Sequence, residues 1–177
     1  MSTKVTTPEL VRFSYVNLVE PKIAPGATDA KYGMSVIIPK KNKKTIKAIE
    51  EAILAAEAAG REKFGTKWKA VKKPLRDGDT DRDGDDAYAE SYFFNASSKQ
   101  RPGMVNKAVQ PIIDPSEIQS GDWGCVSINF YPFNVNGNAG IAAGLNHVQK
   151  VKDGEPLAGR GSAENDFEKF EDEEEAY

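Results

Sequence analysis

Residues Gly121–Val151 read GDWGCVSINFYPFNVNGNAGIAAGLNHVQKV, and this stretch decides the fold. Two runs of strand character flank Asn134-Val135-Asn136-Gly137-Asn138. Asn and Gly tolerate positive φ, so the centre predicts a hairpin turn. In the first run Val126, Ile128 and Phe130 alternate onto one face, which reads as core. Trp123, Ser127, Asn129, Tyr131 and Phe133 share the other face. Flat rings among small hydrogen-bonding groups suit stacking against nucleotide bases. They also suit a plain barrel hairpin rich in aromatic strand formers. In the returning run Ile141, Ala143 and Leu145 alternate with Gly140, Ala142 and Gly144. That second set has almost no side chains, so close approach to its backbone is expected.

At 177 residues the chain can bury one good core. Its first ten residues are polar and lead into no apolar run of signal-peptide or membrane-spanning kind. A single cysteine, Cys125, excludes an internal disulfide framework, fits a reducing cytoplasm and reads as a small buried hydrophobe. The net charge of −3 hides segregation. Residues 164–177 hold eight acids and one base, leaving 23 bases against 19 acids elsewhere. Residues 31–76 carry thirteen Lys or Arg and four Glu, whereas residues 77–90 carry seven acids and one Arg. Blocks of this kind fit a nucleic-acid partner despite the acidic total.

Taken in order, residues 1–9 read as a loose arm. Leu10–Val19 alternates as a strand, with Val11, Phe13, Tyr15 and Val19 on the apolar side and Arg12 and Ser14 opposite. A loop follows around Pro25-Gly26, then a strand over 31–38 with Tyr32, Met34, Val36 and Ile38 inward. Ile46, Ile49 and Ile53 recur at helical spacing within 42–64, with Asn42 as N-cap and Gly60 and Gly65 at the exit. Lys40, Lys41, Lys43, Lys44 and Lys47 crowd the end of this helix that favours acids. They serve either an anion or a solvated face. Lys67-Trp68-Lys69 interleaves a ring with bases. That pattern fits a single-strand contact, and the ring equally fits packing of helix onto barrel.

Asp79, Asp81, Asp83, Gly84 and Glu90 match the calcium-loop spacing D-x-D-x-D-G-x5-E. The flanks do not match: Lys73-Pro74 precedes and the strand-like Ser91-Tyr92-Phe93-Phe94 follows, where helices belong. A solvated acidic loop is the competing reading, and clustered acids also raise a metal-dependent nuclease. Along the next strand Tyr92, Phe94 and Ala96 read as core. Phe93, Asn95 and Ser97 face outward, and Lys99 and Arg101 continue their parity. Val109–Ile113 reads as a short strand, and His147 stands alone, without metal-ligand partners. Gly159-Arg160-Gly161-Ser162 is a linker into an acidic tail bearing Phe167, Phe170 and Tyr177.

Several of these runs resemble those of a bacteriophage single-stranded DNA-binding protein family, long catalogued only as a domain of unknown function. They are Pro74-Leu75-Arg76-Asp77-Gly78-Asp79, the run Tyr92–Ser98, Asn129-Phe130-Tyr131-Pro132-Phe133, and the run Ala143–Gln149. The resemblance covers about residues 8–160 and anchors on no catalytic signature. It implies an OB-fold barrel that coats single strands in phage DNA replication or recombination. It also implies an acidic C-terminal tail that contacts replication proteins.

The expected architecture is therefore mainly β. It is an OB-fold-like antiparallel barrel over residues 1–158, one long helix inserted after the second strand, and a disordered acidic tail over 159–177. The expected activity is sequence-tolerant binding of single-stranded DNA, without catalysis or cofactor. The expected DNA contacts are Phe93, Asn95, Lys99, Arg101, Lys107, Asn129, Tyr131 and Phe133, with Arg12, Lys40, Lys41, Lys67, Trp68 and Lys69. Glu171, Asp172, Glu173, Glu174, Glu175 and Tyr177 are the expected partner contacts of the tail, which is also expected to compete with DNA. A homodimer or cooperative assembly on DNA stays open, no membrane is involved, and the expected setting is the cytoplasm of an infected bacterial host.

Overall fold

The Gly121–Val151 stretch folds as the expected hairpin. Its strands are β7 (Trp123–Val135) and β8 (Asn138–Lys152), joined by the two-residue turn Asn136-Gly137. Both turn residues have positive φ, 49° and 83°, as a tight turn matched to strand twist requires. The computed structural model describes residues 2–157. Before the hairpin run β1 (Lys4–Thr6), β2 (Val11–Ile23), β3 (Ala30–Pro39), α1 (Lys43–Phe64), β4 (Arg76–Asp77), α2 (Gly78–Asp81), β5 (Ser91–Ser98) and β6 (Gly103–Val105). The expected linker and acidic tail lie outside the described residues.

Strands β7, β2, β3, β5 and β8 pair in that order, and β8 returns to β7, so five strands close into a barrel. This is the OB-type architecture. Most pairings are antiparallel, but the seam between β5 and β8 is parallel and only two rungs long, Ala96↔Ala143 and Ser97↔Gly144. Most of the inward set is the one alternation assigns: Val36, Ile38, Phe94, Val126, Ile128, Phe130 and Leu145 are all buried, whereas Tyr32 and Tyr92 are half-buried, with Arg101 and Lys40 over their rings. Phe94 and Phe130 meet edge to face at 5.7 Å. Each such fully buried side chain contributes about 1.5–3 kcal/mol.

Helix α1 follows the second barrel strand, as expected, and buries Ile49, Ala52, Ile53 and Ala56 against the barrel. Asn42 occupies the N-cap position without capping; its side-chain amide donates to the Leu10 carbonyl. The Glu9 carboxylate caps instead, accepting from the Thr45 backbone N–H at 3.0 Å and its hydroxyl at 3.1 Å. An acid brought from another segment thus supplies the negative charge that the lysine-rich first turn lacks. Gly60 lies inside the helix rather than at its exit, because a Cβ there would overlap the Trp68 ring.

Four further sequence expectations change. Residues 4–6 are a strand, not a loose arm; β1 pairs with β7 from Lys4↔Asn129 to Thr6↔Ser127. Tyr15 and Val19 are exposed, and Leu18 is buried instead. The cause is a bulge: Tyr15 has φ 48° and the β2–β3 register shifts between Ser14 and Asn17, which reverses the parity. Val109–Ile113 is not a strand; Ile113 is 92% exposed, and only an isolated Val105↔Pro111 bridge forms. Cys125 is half-buried on the outer parity of β7, not a core residue.

The acidic run is not a calcium loop in geometry. Asp77 caps α2 by accepting from the Asp79 N–H, and Asp79 accepts from the Glu90 N–H. Lys40 bridges Asp77 and Asp79 at 3.0 and 2.8 Å, and Arg76 pairs with Asp81. Asp79, Asp81, Asp83 and Glu90 therefore do not converge. Among the described residues no three His, Cys, Asp or Glu side chains group as a metal site.

Two measurements check this packing. Trp68→Ala is expected to lower stability by about 3–5 kcal/mol in urea unfolding, and Gly60→Ala by about 1–3 kcal/mol, because one empties and the other overfills the same contact. The Lys40 hydrogen bond and the Glu90 N–H hold the Asp79 carboxyl below its ordinary value of 3.8. A carboxyl depressed on folding stabilises fully above its unfolded value and loses that stabilisation as pH falls through the folded one. Melting temperature should therefore fall as pH drops below about 4, and Asp79→Asn should flatten that part of the profile.

Candidate nucleic-acid interface

The barrel's outer surface carries a band of small and polar residues that crosses strands rung by rung. Asn17 pairs with Gly33, Gly33 with Ser97, Ser97 with Gly144, Gly144 with Asn129, and Asn129 with Lys4. Alternation explains the band, since it interleaves with the buried Leu18, Met34, Ala96, Ala143, Leu145, Ile128 and Phe130. Gly33 is needed for close strand packing: a Cβ there would stand 2.7 Å from the Ala96 carbonyl oxygen. At Gly144 a Cβ would meet only ordinary contacts, with the Asn129 carbonyl at 3.5 Å and the Tyr131 ring at 3.7 Å. The Gly144 floor is thus open, with Tyr131, 39% exposed, beside it. Further along β8 the expected close approach does occur, but the group is the chain's own: Lys72 pairs with Gly140 in parallel.

One rung over lie Ser14, Ser35 and Asn95. Here β3 and β5 form the floor of a groove of about 580 Å³, whose walls include Tyr15, Arg76, Asp81, Arg82 and Tyr88. In OB barrels the second and third barrel strands, here β3 and β5, form the usual oligonucleotide-binding face. Tyr88 is buried, and its hydroxyl and that of Ser35 are hydrogen-bonded at 3.0 Å. Arg82 lies 4.5 Å above the Tyr88 ring and donates to the Tyr15 hydroxyl at 2.7 Å and to Asp85 at 2.8 Å. These bonds hold its guanidinium still more firmly protonated than usual.

On the other side of the band a cleft of about 540 Å³ gathers Lys4, Arg101, Asn129, Asn146 and His147. Arg101 forks onto the Leu18 and Val19 carbonyls at 3.2 and 2.7 Å and covers the Tyr32 ring. Carbonyl partners leave its positive charge uncancelled.

The predicted contacts therefore separate into groups. Asn95, Asn129, Tyr131 and Arg101 lie on or beside the polar band. Lys99 sits nearby but pairs with Asp29 at 3.1 Å. Lys107 is exposed beyond β6. Phe93 faces outward as its parity requires, yet it is 3% exposed, sealed by the Tyr88 edge at 5.0 Å and by Arg76. Its ring is not available for stacking. Trp68 is also removed from the list: it is 7% exposed, packs on Phe64 and Gly60, and donates its indole N–H to the Phe133 carbonyl. Phe133 is half-buried over Gly140, and Lys67 and Lys69 are exposed at the helix exit.

Arg12, Lys40 and Lys41 belong to a third place, a cleft of about 1030 Å³ at the start of α1 with Trp123 and Lys152. One of these cations is neutralised: Lys40 pairs with Asp77 and Asp79. Arg12 donates to the Gly121 and Glu155 carbonyls, which, as at Arg101, leave its charge uncancelled. The partner-binding residues of the tail lie outside the described residues. Sequence reading missed Tyr15, Arg76, Arg82 and Lys4. Tyr15 has core parity until the bulge turns it outward, and Arg82 is the one base inside the acidic run. That isolated sign reversal was the only signal.

Comparison with known proteins bears on the family and the fold. The family model described as Enterobacter phage Enc34, ssDNA-binding protein, matches residues 3–177. A relative from Acyrthosiphon pisum secondary endosymbiont phage 1, called putative protein p50, is 29% identical over 92% of this chain and 90% of that protein. The single-stranded DNA-binding protein from bacteriophage Enc34, solved in complex with ssDNA, superposes with a TM-score of 0.77. It is 26% identical and covers 87% of this chain and 88% of that one. The bacteriophage T7 single-stranded DNA-binding protein gp2.5, at 19% identity, shares the fold with a TM-score of 0.62 over 92% of this chain and 91% of its own. Five-strand closure and a family match across nearly the whole chain lead to one assignment: this chain belongs to the family of the phage Enc34 single-stranded DNA-binding protein.

Proposed function

We propose that this chain binds single-stranded DNA without sequence preference and coats it during phage DNA replication or recombination, performing no chemistry itself. The observation that carries this reading is the polar band Gly33–Ser97–Gly144–Asn129 across the closed barrel. A bare backbone floor lets sugars and bases lie close, and Asn and Ser groups offer hydrogen bonds that no single base monopolises. Tyr131 supplies a ring beside the floor, and rings bind any base because every base has a π-face. Arg101, Lys4 and the exposed lysines supply the charge that attracts the backbone. Asn95, Asn129, Tyr131 and Arg101 are the proposed contacts, with Lys99 and Lys107 as outlying cations.

The tail belongs to the same proposal. Residues 164–177 carry a net −7, and Glu171, Asp172, Glu173, Glu174, Glu175 and Tyr177 offer a replication partner both charge and an apolar terminus. A short Gly- and Ser-containing linker such as Gly159-Arg160-Gly161-Ser162 would give such a segment a millimolar effective concentration near the basic surface. No helix among the described residues is long and apolar enough to cross a membrane, which accords with action in the cytoplasm of an infected host.

Fluorescence anisotropy with an oligo-dT across salt tests the reading. Affinity should fall as salt rises, at about 0.7 counterions per phosphate contact. Tyr131→Ala should cost about 1–3 kcal/mol of binding with an unchanged melting temperature. An affinity indifferent to salt, or a Tyr131→Ala protein binding like wild type, would contradict it. Truncation after Ser162 should tighten binding at low salt and abolish capture of the cognate polymerase or helicase. Equal binding with capture retained would reduce the tail to a solvated end.

A further inference from the structure

Tyr15 is an anomaly in the fold. It is a bulky residue at φ 48°, in the left-handed region that favours glycine. Strain of this kind persists only where surrounding structure enforces it, and it concentrates at functional sites. The fold gains little burial in return, because Tyr15 is 58% exposed. Nor is the bulge a reason for an aromatic, since glycine would take the same backbone without strain.

The ring is nevertheless fixed in place. Arg82 donates to its hydroxyl at 2.7 Å and lies 5.2 Å from its ring centre. Arg82 is itself pinned by Asp85 and by the face of Tyr88, and Tyr88 is tied through its hydroxyl to Ser35 in β3. This chain of contacts starts in the barrel wall and ends on an exposed ring at the rim of the β3–β5 groove. The guanidinium holds the ring from its hydroxyl end, and the 58% exposure of the residue leaves ring surface open. A held, exposed ring lining the same groove as Ser35 and Asn95 is a platform prepared before any ligand arrives.

We infer that Tyr15 is a base-stacking residue of the β3–β5 groove and that Arg82 is the residue that positions its ring. The inference rests on the single-strand reading of that groove and adds a subsite to it. The ligand is any nucleobase of a single strand, because stacking on a tyrosine face does not select among bases. Arg82 acts through Tyr15 rather than on phosphate: one of its nitrogens serves both Tyr15 and Asp85, and the Asp85 carboxylate offsets its charge.

Photocrosslinking of the full chain to an oligo-dT bearing 5-iododeoxyuridine, with peptide mapping, and anisotropy titrations of variants test this together. Wild type should crosslink at Tyr15. Tyr15→Gly should bind about tenfold more weakly or worse, while its melting temperature does not fall, since glycine removes the strain. Tyr15→Phe keeps the ring but not the latch and should lose only a few-fold. Arg82→Gln should also lose a few-fold, with the salt dependence of binding unchanged. A salt slope lowered by about 0.7 would make Arg82 a direct phosphate contact and overturn its positioning role. Tyr15→Gly binding within twofold of wild type, or wild-type crosslinks that all map elsewhere, would overturn the stacking role. A wild type that binds no single strand would overturn the single-strand reading and this subsite with it. Intact wild-type binding with an indifferent Tyr15 removes the subsite alone.

Discussion

The structure depends on a short seam. Strands β5 and β8 meet in parallel over two rungs, and without them the five strands would form an open, curled sheet. Every residue at the seam is small. Ala96 and Ala143 point inward and are buried, whereas Ser97 and Gly144 point outward. Small side chains let two strands from distant parts of the chain approach without prising apart the aromatic core around Phe94 and Phe130. The rest of that β8 edge is covered as well, by Lys72 at Ala139–Ile141 and by β6 at His147–Gln149. An edge sealed along its length offers little template for unwanted strand pairing.

The same seam shapes the proposed binding surface. Alternation dictates that two small inward residues come with two outward ones, and here those are a serine and a glycine. Gly33 extends the low floor into β3 and Asn129 extends it into β7. The constraint that closes the barrel therefore also lays down a strip where a nucleic-acid chain can lie against backbone. The acidic run 77–90 borders this strip. Asp77 and Asp85 cap two short helical turns, and Asp77, Asp79, Asp81 and Asp85 pair with Lys40, Arg76 and Arg82. Two of the thirteen cations in residues 31–76, Lys40 and Arg76, are paired in this way, and exposed pairs of this sort contribute little to stability.

Local periodicity made much of this legible. The hairpin around Asn136-Gly137, the helix over 43–64 and the inward faces of β3, β5 and β7 all follow from periods of two and 3.6 and from turn chemistry. What periodicity cannot reveal is a phase change or a distant cover. Tyr15 has the parity of a core residue, and a single bulge reverses it. Phe93 has the parity of a surface residue, and the turn carrying Tyr88, five positions earlier, buries it. Trp68 sits among lysines, as a stacking ring would, yet its indole fills the notch left by Gly60. Each of these depends on contacts between segments that no local pattern encodes. The parallel seam is of the same kind, since nothing in β5 names β8 as its neighbour.

The central claim is that a single strand lies across the outer face of the barrel along the band through Gly33, Ser97, Gly144 and Asn129. Amide chemical-shift mapping of the isotope-labelled protein, titrated with a short oligo-dT, tests it most directly. The account predicts that the largest changes fall on β3, β5 and the Asn129–Gly144 part of the hairpin, with α1 unaffected. Changes centred instead on Arg12, Lys41 and Lys152, at the cleft beside the start of α1, would contradict it.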